Sequence, residues 1–470
     1  MFGKKKNISI NKDMENSNIE KEKDGDDNAL QNDAVEKIEL SEHIENTNPE
    51  AIIQDEEKKD FEKIWLLSKE DFGPLWKYVA DDDITDVDWD CDALWIRSAT
   101  KKRERVDDPE VTSEFINNFI DRVAIHESAL FNPKNKSFGA ETETLRITCV
   151  HEEMSPLGRC VNIRKTLPRL RFTAKEALDN QYTTKQIMAF IVNCIKAKSN
   201  IVICGRTGSG KTETAKFFSS FIPKHEKVIT VEDSKEWHYK NINPGADGIE
   251  FKVKSNQDYE EAISVALRLS PTWLMIAESR SREVVYLKES MTTGVYCITT
   301  LHTEDVRHIP MRMINMMGTV TDIEQELNDL YMCLGLGIHL IEKEDENGFI
   351  HREIDQVGYF DIDPATGKNR CYMIVSKGVL NKEEIPDSLK EKIMERAGIE
   401  DIYLCKELDE RMQLNPVLES SYEENSEISE SERENEKNEE NLLKEAKSLL
   451  NEDSESLSDI SDAVNEEEHE

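Results

Sequence analysis

Apolar and polar residues follow two rhythms along this chain, and the change from one to the other predicts two kinds of domain. Residues 84–106, ITDVDWDCDALWIRSATKKRERV, alternate apolar and polar positions around a turn, the period-two pattern of a hairpin. The same alternation returns within 144–166 in TLRITCV and RCVNIRK, and a helix is expected over 110–130. Phe61, Ile64, Trp65 and Leu66 fall at helical spacing in 61–80 until Gly73-Pro74 interrupts the pattern. Together these segments predict an α+β N-terminal domain over 61–166. Residues 167–183 open with LPRLRFTAK, whose Pro168 and basic residues suit a linker. Beyond it a helix is expected over 184–197, and from 200 to about 362 short continuous apolar runs alternate with helical segments. That order predicts an α/β domain over 184–362 with a mostly parallel sheet covered by helices. Residues 363–415 hold a strand candidate, CYMIVS, and a helix around 384–397, to which the pattern assigns no role.

Composition sets the ends apart. Residues 1–60 carry 17 Asp and Glu against 9 Lys and Arg, and residues 416–470 carry 20 against 4. Both are rich in Glu, Asn, Ser and Lys and poor in aromatics. They bury too little apolar surface to offset ordering entropy, so both are read as disordered acidic tails. Leu442, Leu443, Ala446, Leu449 and Leu450 interrupt the second tail at helical spacing, as a transient helix or a partner-docking one. Of the net charge of −37, the 355 residues between the tails hold −13. This mild acidity argues against broad nucleic-acid binding, which depends on Lys and Arg neutralising phosphates. Nine cysteines are scattered without a C-x-x-C pair, so they give no zinc signature and read as thiols of a reducing cytosol. No apolar stretch approaches a signal peptide or a membrane span, and a cytoplasmic protein without direct membrane insertion is expected.

The chemistry starts at residues 201–217, IVICGRTGSGKTETAKF. Gly205, Gly210, Lys211 and Thr212 meet the phosphate-loop pattern, with Thr207, Gly208 and Ser209 inside it and Glu213 following. Glycines let the backbone curl so that N–H groups and a helix N-terminus face a phosphate. Lys211 is expected at the β- and γ-phosphates and the Thr212 hydroxyl at Mg²⁺, making a nucleoside triphosphatase the starting hypothesis. Phosphoryl transfer also needs a metal shell, a positioned water and positive charge, supplied from neighbouring strand ends. Three places fit. Glu232 and Asp233 follow the run Val228–Val231, as metal-supporting acids or an acidic turn. Glu278 follows Trp273–Ala277, as a water-orienting or proton-accepting group and second metal candidate, or as a helix-capping acid. Arg280 and Arg282 come next, to stabilise charge or to form a solvated face. His302 ends the run from Val295 to Leu301, as a γ-phosphate sensor or a structural histidine.

In this order the four segments (the phosphate loop at 205–212, TVEDSKE at 230–236, LMIAE ending in Glu278 and TTLHTED at 299–305) resemble the hexameric ATPases of type II and type IV secretion, conjugation and type IV pilus assembly. RITCVHEEMSPLGRCVNIRK and ITDVDWDCDALWIRS are similar to the N-terminal domain of the type IV secretion and tight-adherence pilus branch. The resemblance covers about 70–363. It implies a RecA-like P-loop domain hinged to the N-terminal domain, with ATP and Mg²⁺ between them. It also implies a homo-hexameric ring on inner-membrane platform or channel proteins, peripheral to the inner face of the membrane. By the same resemblance Arg146 and Arg164 reach the nucleotide from the N-terminal domain. The chain departs from the pattern at Ala277 and Ser281, where relatives carry glycine, and after His302. Those departures leave a nucleotide-dependent structural ring with little turnover beside the secretion ATPase, and the shared core fold leaves a RecA-type nucleic-acid motor.

Overall fold

The computed structural model describes residues 69–413 apart from Ser255. The acidic ends, the apolar positions 61–66 and the leucines of 442–450 lie outside the described residues. The alternation in 84–106 becomes β1 (Ile84–Trp89) and β2 (Leu94–Ser98), paired antiparallel with Val87 opposite Ile96. β3 (Glu104–Val106), β4 (Ser137–Glu141), β5 (Leu145–Val150) and β6 (Cys160–Lys165) complete an antiparallel sheet in the order β3-β2-β1-β6-β5-β4. Between β3 and β4, α1 (Ser113–His126) begins where Thr112 caps the Phe115 amide. It buries Ile116, Phe119, Ile120, Val123 and Ala124, one stripe at helical spacing. Asp86 on β1, Arg164 on β6 and Arg146 on β5 lie directly across from one another in three adjacent strands. Two arginines face to face oppose folding unless something anionic shares the row, and Asp86 supplies part of that charge.

The linker is not featureless. Within it α2 (Ala174–Asp179) is fixed by a capping box between Thr173 and Glu176. α3 (Lys185–Lys196) follows, with every residue from Ile187 to Ile195 buried. A helix apolar on all sides must be covered on all sides, and here later helices supply the outer cover.

The second sheet is built from β7 (Ile201–Gly205), β8 (Val228–Glu232), β9 (Gly248–Lys252), β10 (Trp273–Ile276), β11 (Tyr296–Leu301), β12 (Leu336–Glu344), β13 (Ile350–Asp363), β14 (Lys368–Ser376) and β15 (Val379–Leu380). Its order is β15-β14-β13-β12-β7-β11-β10-β8-β9. The six strands from β12 to β9 are mutually parallel, and β13, β14 and β15 add antiparallel. The mostly parallel, RecA-like sheet is therefore present, but it does not stop at 362. The strand candidate CYMIVS lies in β14 and continues the same sheet, so 363–376 is part of this layer.

Side chains alternate across the central strands into two cores. Ile201, Ile203, Trp273, Met275 and Ile298 face one, while Val202, Cys204, Leu274, Ile276 and Cys297 face the other. Burial on both faces explains why these strands read as unbroken apolar runs. The crossovers are α4 (Lys211–Ser219), α5 (Asn256–Arg268), α6 (Glu283–Thr292), α7 (Ile309–Met317) and α8 (Ile323–Cys333). α9 (Asp387–Ala397) packs on α3, and α10 (Lys406–Gln413) follows it. The register pairs Cys204 with Leu301, Thr299 with Ile276 and Ile276 with Val231. Residues 205, 232, 277 and 302 therefore leave the sheet side by side at its carboxyl edge, where α/β sheets bind ligands. Among the described residues no helix is long and apolar enough to cross a membrane.

Candidate functional site

A cavity of about 600 Å³ opens at this edge and is lined from both sheets. Its floor is the loop between β7 and α4. Gly205 has φ +151°, and a Cβ there would lie 2.6 Å from Ser209 Oγ and 2.7 Å from the Leu340 carbonyl oxygen. Gly210 has φ +89° at the start of α4. Only glycine takes these conformations without strain, and the result is a loop whose amides and helix N-terminus form an anion cradle. Ser209 Oγ is buried there and has no hydrogen-bond partner among the described residues. Thr207, Gly208, Gly210, Lys211 and Thr212 all line the cavity.

Lys211 is buried, its Nζ donating to the carbonyl oxygens of Gly205 at 3.3 Å and Arg206 at 3.1 Å. Burial lowers its pKa, and the nearby Glu278 charge is the chief opposing influence. Glu278 completes the centre: Oε1 is 2.8 Å from His302 Nε2, and Oε2 accepts from Arg280 Nη2 at 2.7 Å. His302 Nδ1 in turn lies 3.4 Å from Lys211 Nζ. Burial works against ionisation of Glu278, but the Arg280 hydrogen bond and charge, with His302 and Lys211, hold it below the usual carboxylate range. Thus Lys211, Glu278, Arg280 and His302, drawn from three separate segments, are brought together as expected of one site.

The acidic box is arranged differently from the expectation. Glu232 does not line the cavity; it is buried, and its Oε2 accepts the amides of Glu236 at 2.8 Å and Trp237 at 3.1 Å. Burial pushes its pKa up to about 8, and it anchors the loop from inside the core, away from the space where a metal shell would form. Asp233 also lies off the cavity lining, 3.2 Å from Arg280. Glu236 is the acid of this box that faces the cavity. It lines the cavity, its Oε2 accepts from the Thr212 hydroxyl at 3.4 Å, and its Oε1 is 3.7 Å from Arg146 Nη1. Burial raises its pKa, and Arg146 and Arg164 oppose the rise.

From the N-terminal sheet, Arg164 lines the cavity and donates from Nε to Asp86 Oδ1 at 2.7 Å, while Arg146 reaches only as far as Glu236. Glu213 turns toward the linker, 3.7 Å from Arg171 and 3.5 Å from Lys216. Sequence reasoning missed Glu236, although it closes the quoted TVEDSKE, because choosing among those acids needed the inward turn of Glu232. It also missed Arg97, Arg171 and Arg352, which line the cavity; Arg97 and Arg171 stand in the quoted ITDVDWDCDALWIRS and LPRLRFTAK, but neither segment singles them out.

Mg²⁺ commonly uses one or two protein ligands and completes its shell with phosphate oxygens and water. Thr212 and Glu236 fit that donor set. Among the described residues there is no cluster of three or more His, Cys, Asp or Glu side chains that could hold a metal ion.

Residues 133–461 match the profile of a family described as type II/IV secretion system protein, more than two thirds of the chain. An uncharacterized protein of Bacillus anthracis is 28% identical over 261 residues, covering 55% of this chain and 59% of that relative. The type IV secretion system protein VirB11 of Bartonella quintana is 26% identical over 200 residues, covering 41% of this chain and 52% of the relative. The chain thus spans little more than half the length of these relatives. Among solved structures, the ATPase DotB of Yersinia pseudotuberculosis is similar at 15% identity and a TM-score of 0.48, over 72% of this chain and 92% of that one.

Proposed function

The chain belongs to the type II/IV secretion system protein family, and from that premise we propose that it is a Mg²⁺-dependent ATPase that powers a secretion, conjugation or pilus machine. The observation that carries the proposal is the chain of contacts from Lys211 through His302 to Glu278, standing over a glycine cradle. In a barrier dominated by charge on transferring phosphoryl oxygens, positioning and electrostatics supply most of the catalysis. Lys211 and the amides of 205–212 hold the β- and γ-phosphates. Thr212 and Glu236 would hold Mg²⁺, which when bound would supply positive charge for phosphoryl transfer.

Glu278 is ionised but locked between Arg280 and His302, so it is a weak proton acceptor in this arrangement. Its role is to orient the attacking water, and it accepts a proton only as Arg280 turns to the γ-phosphate. His302 then reports the phosphate through its two contacts, Glu278 on one nitrogen and Lys211 on the other. Arg164 and Arg146 approach from the N-terminal sheet, so closing that sheet over the cavity completes the positive surround. Such closure is the movement by which hydrolysis does mechanical work in a homo-hexameric ring on inner-membrane partners.

The test is phosphate release by the purified protein with and without Mg²⁺, beside Lys211→Ala and Glu278→Gln. The expected outcome is Mg²⁺-dependent release by the wild type and loss of nucleotide binding in K211A. E278Q should retain binding with turnover reduced by about 10²–10⁴-fold. Nucleotide binding without release by the wild type would replace the motor with a structural ring.

A further inference from the structure

Two arginines that the phosphate-loop reading does not use lie directly on that loop. Arg97, on β2, stands so close above Gly208 that a Cβ there would fall 2.1 Å from its Nη2. Arg352, on β13, donates from Nε to the Gly208 carbonyl at 3.0 Å and from Nη1 to the Ala99 carbonyl at 2.5 Å. It therefore binds the loop and the N-terminal half at once. Both guanidinium groups also reach one carboxylate oxygen, Glu342 Oε2, at 3.1 Å from Arg97 and 3.4 Å from Arg352. The other arginines that line the cavity have separate counter-ions: Arg164 has Asp86, Arg171 has Glu213, and Arg280 has Glu278 and Asp233. At Gly208 two cations share one anion. Arg97 and Arg352 line the cavity, whereas Glu342 does not, so the surplus positive charge faces the space above the anion cradle.

The backbone keeps the pair in place. The Ile350 amide donates to the Thr100 carbonyl at 2.7 Å, and Lys102 pairs with Glu344. The β12–β13 hairpin is thereby fastened to residues 99–102, which directly follow the strand that carries Arg97.

We propose that Arg97 and Arg352 are ligands of the nucleotide polyphosphate, held in reserve by Glu342, and that a bound polyphosphate takes over from Glu342 at least one of the two guanidinium groups. The proposal rests on the nucleotide-binding reading above, but its test fails separately from it. Exchange of one anionic partner for another makes a prediction of opposite signs: removing an arginine weakens nucleotide binding, while removing the competing carboxylate strengthens it. A purely structural strut would give the same sign for all three.

The test measures the affinity of the full chain for a fluorescent N-methylanthraniloyl ATP with Mg²⁺, using wild type, Arg97→Gln, Arg352→Gln, Arg352→Lys and Glu342→Gln. Loss of one charged hydrogen bond to phosphate corresponds to about tenfold weaker binding for R97Q and R352Q, with partial recovery in R352K. For E342Q, removal of a partly exposed competing pair corresponds to roughly two- to fivefold tighter binding. Wild-type binding with unchanged affinity in R97Q and E342Q, or weakening in E342Q parallel to R352Q, overturns the proposal. Should R352Q fail to fold, R97Q and E342Q still decide, because both side chains reach solvent. Absence of binding by the wild type would instead sink the nucleotide reading itself.

Discussion

Replacing Glu232 by glutamine separates the scaffolding part of the acidic box from its chemistry. The side chain is 2% exposed, with Oε2 bonded to two amides and Oε1 without a hydrogen-bond partner among the described residues. Burial moves its pKa from 4.5 to about 8, against the pull of the two amides. Between those values the folded protein keeps a proton that the unfolded chain releases. Folding stability from this group is therefore full below pH 4.5 and is lost as pH rises toward 8. At about 1.4 kcal/mol per pH unit, the loss between pH 4.5 and 7 comes to roughly 3 kcal/mol. His238 works in the other direction, because burial pushes its pKa down to about 4, and its contribution grows with pH up to 6.5. That term is common to both proteins and cancels in their difference. Glutamine cannot ionise; its carbonyl keeps the amides of Glu236 and Trp237, while its NH₂ leaves two donors unpaired where the protonated acid leaves one, at a cost of about 1–3 kcal/mol. Measured by equilibrium urea unfolding, E232Q should be the less stable protein near pH 5 and should overtake the wild type by about pH 8. Its turnover should stay within about threefold of wild type, well short of the hundredfold loss expected on removing a catalytic acid. Parallel stability curves from pH 5 to 8 would refute the buried-acid account, and a collapse of turnover in folded E232Q would return Glu232 to the chemistry.

Other sites give sharper structural tests. Lys216 on α4 is fully buried and donates to the Leu167 carbonyl at 2.7 Å, tying the phosphate-loop helix to the linker. Lys216→Met keeps the volume but leaves that carbonyl unpaired, and should lower unfolding free energy by about 1–3 kcal/mol. Asn193 on α3 donates to the carbonyls of Ile402 at 3.0 Å and Leu404 at 2.9 Å. Asn193→Ala should cost about 2 kcal/mol and speed amide exchange in 399–413 before the sheet core loosens. At Gly335 a Cβ would lie 2.6 Å from the Asn200 carbonyl oxygen, so Gly335→Ala should destabilise by about 1–3 kcal/mol, read as a lower unfolding midpoint.

The parts legible in the sequence were those governed by local periodicity. Strands buried on both faces, such as Trp273–Ile276, appear as unbroken apolar runs, and the half-buried β1–β2 hairpin appears as alternation. The phosphate loop was legible because glycines at 205 and 210 answer to backbone geometry. Glu278 and His302 were legible because a polar residue ending a buried parallel strand has only the carboxyl edge to occupy. What the sequence hid depends on contacts across long separations. Nothing local to ENGFIHREID shows that Arg352 reaches back to Gly208, 144 residues earlier. The choice between Glu232 and Glu236 turns on which side chain enters the core, and the two stand only four residues apart at the end of one strand. The end of the α/β domain was placed too early because β13 and β14 are joined by a short turn and simply extend the sheet.

The central claim is that one crevice gathers Lys211, Thr212, Glu278 and His302 around a single magnesium-bound triphosphate. A crystal structure with Mg²⁺ and a non-hydrolysable ATP analogue tests it most directly. The account predicts the phosphates along 205–212, with Lys211 on the β- and γ-oxygens, Thr212 at the metal, and Glu278 within one water of the γ-phosphorus. A triphosphate bound away from that loop, or one whose γ-phosphate is beyond the reach of both Glu278 and His302, would contradict it.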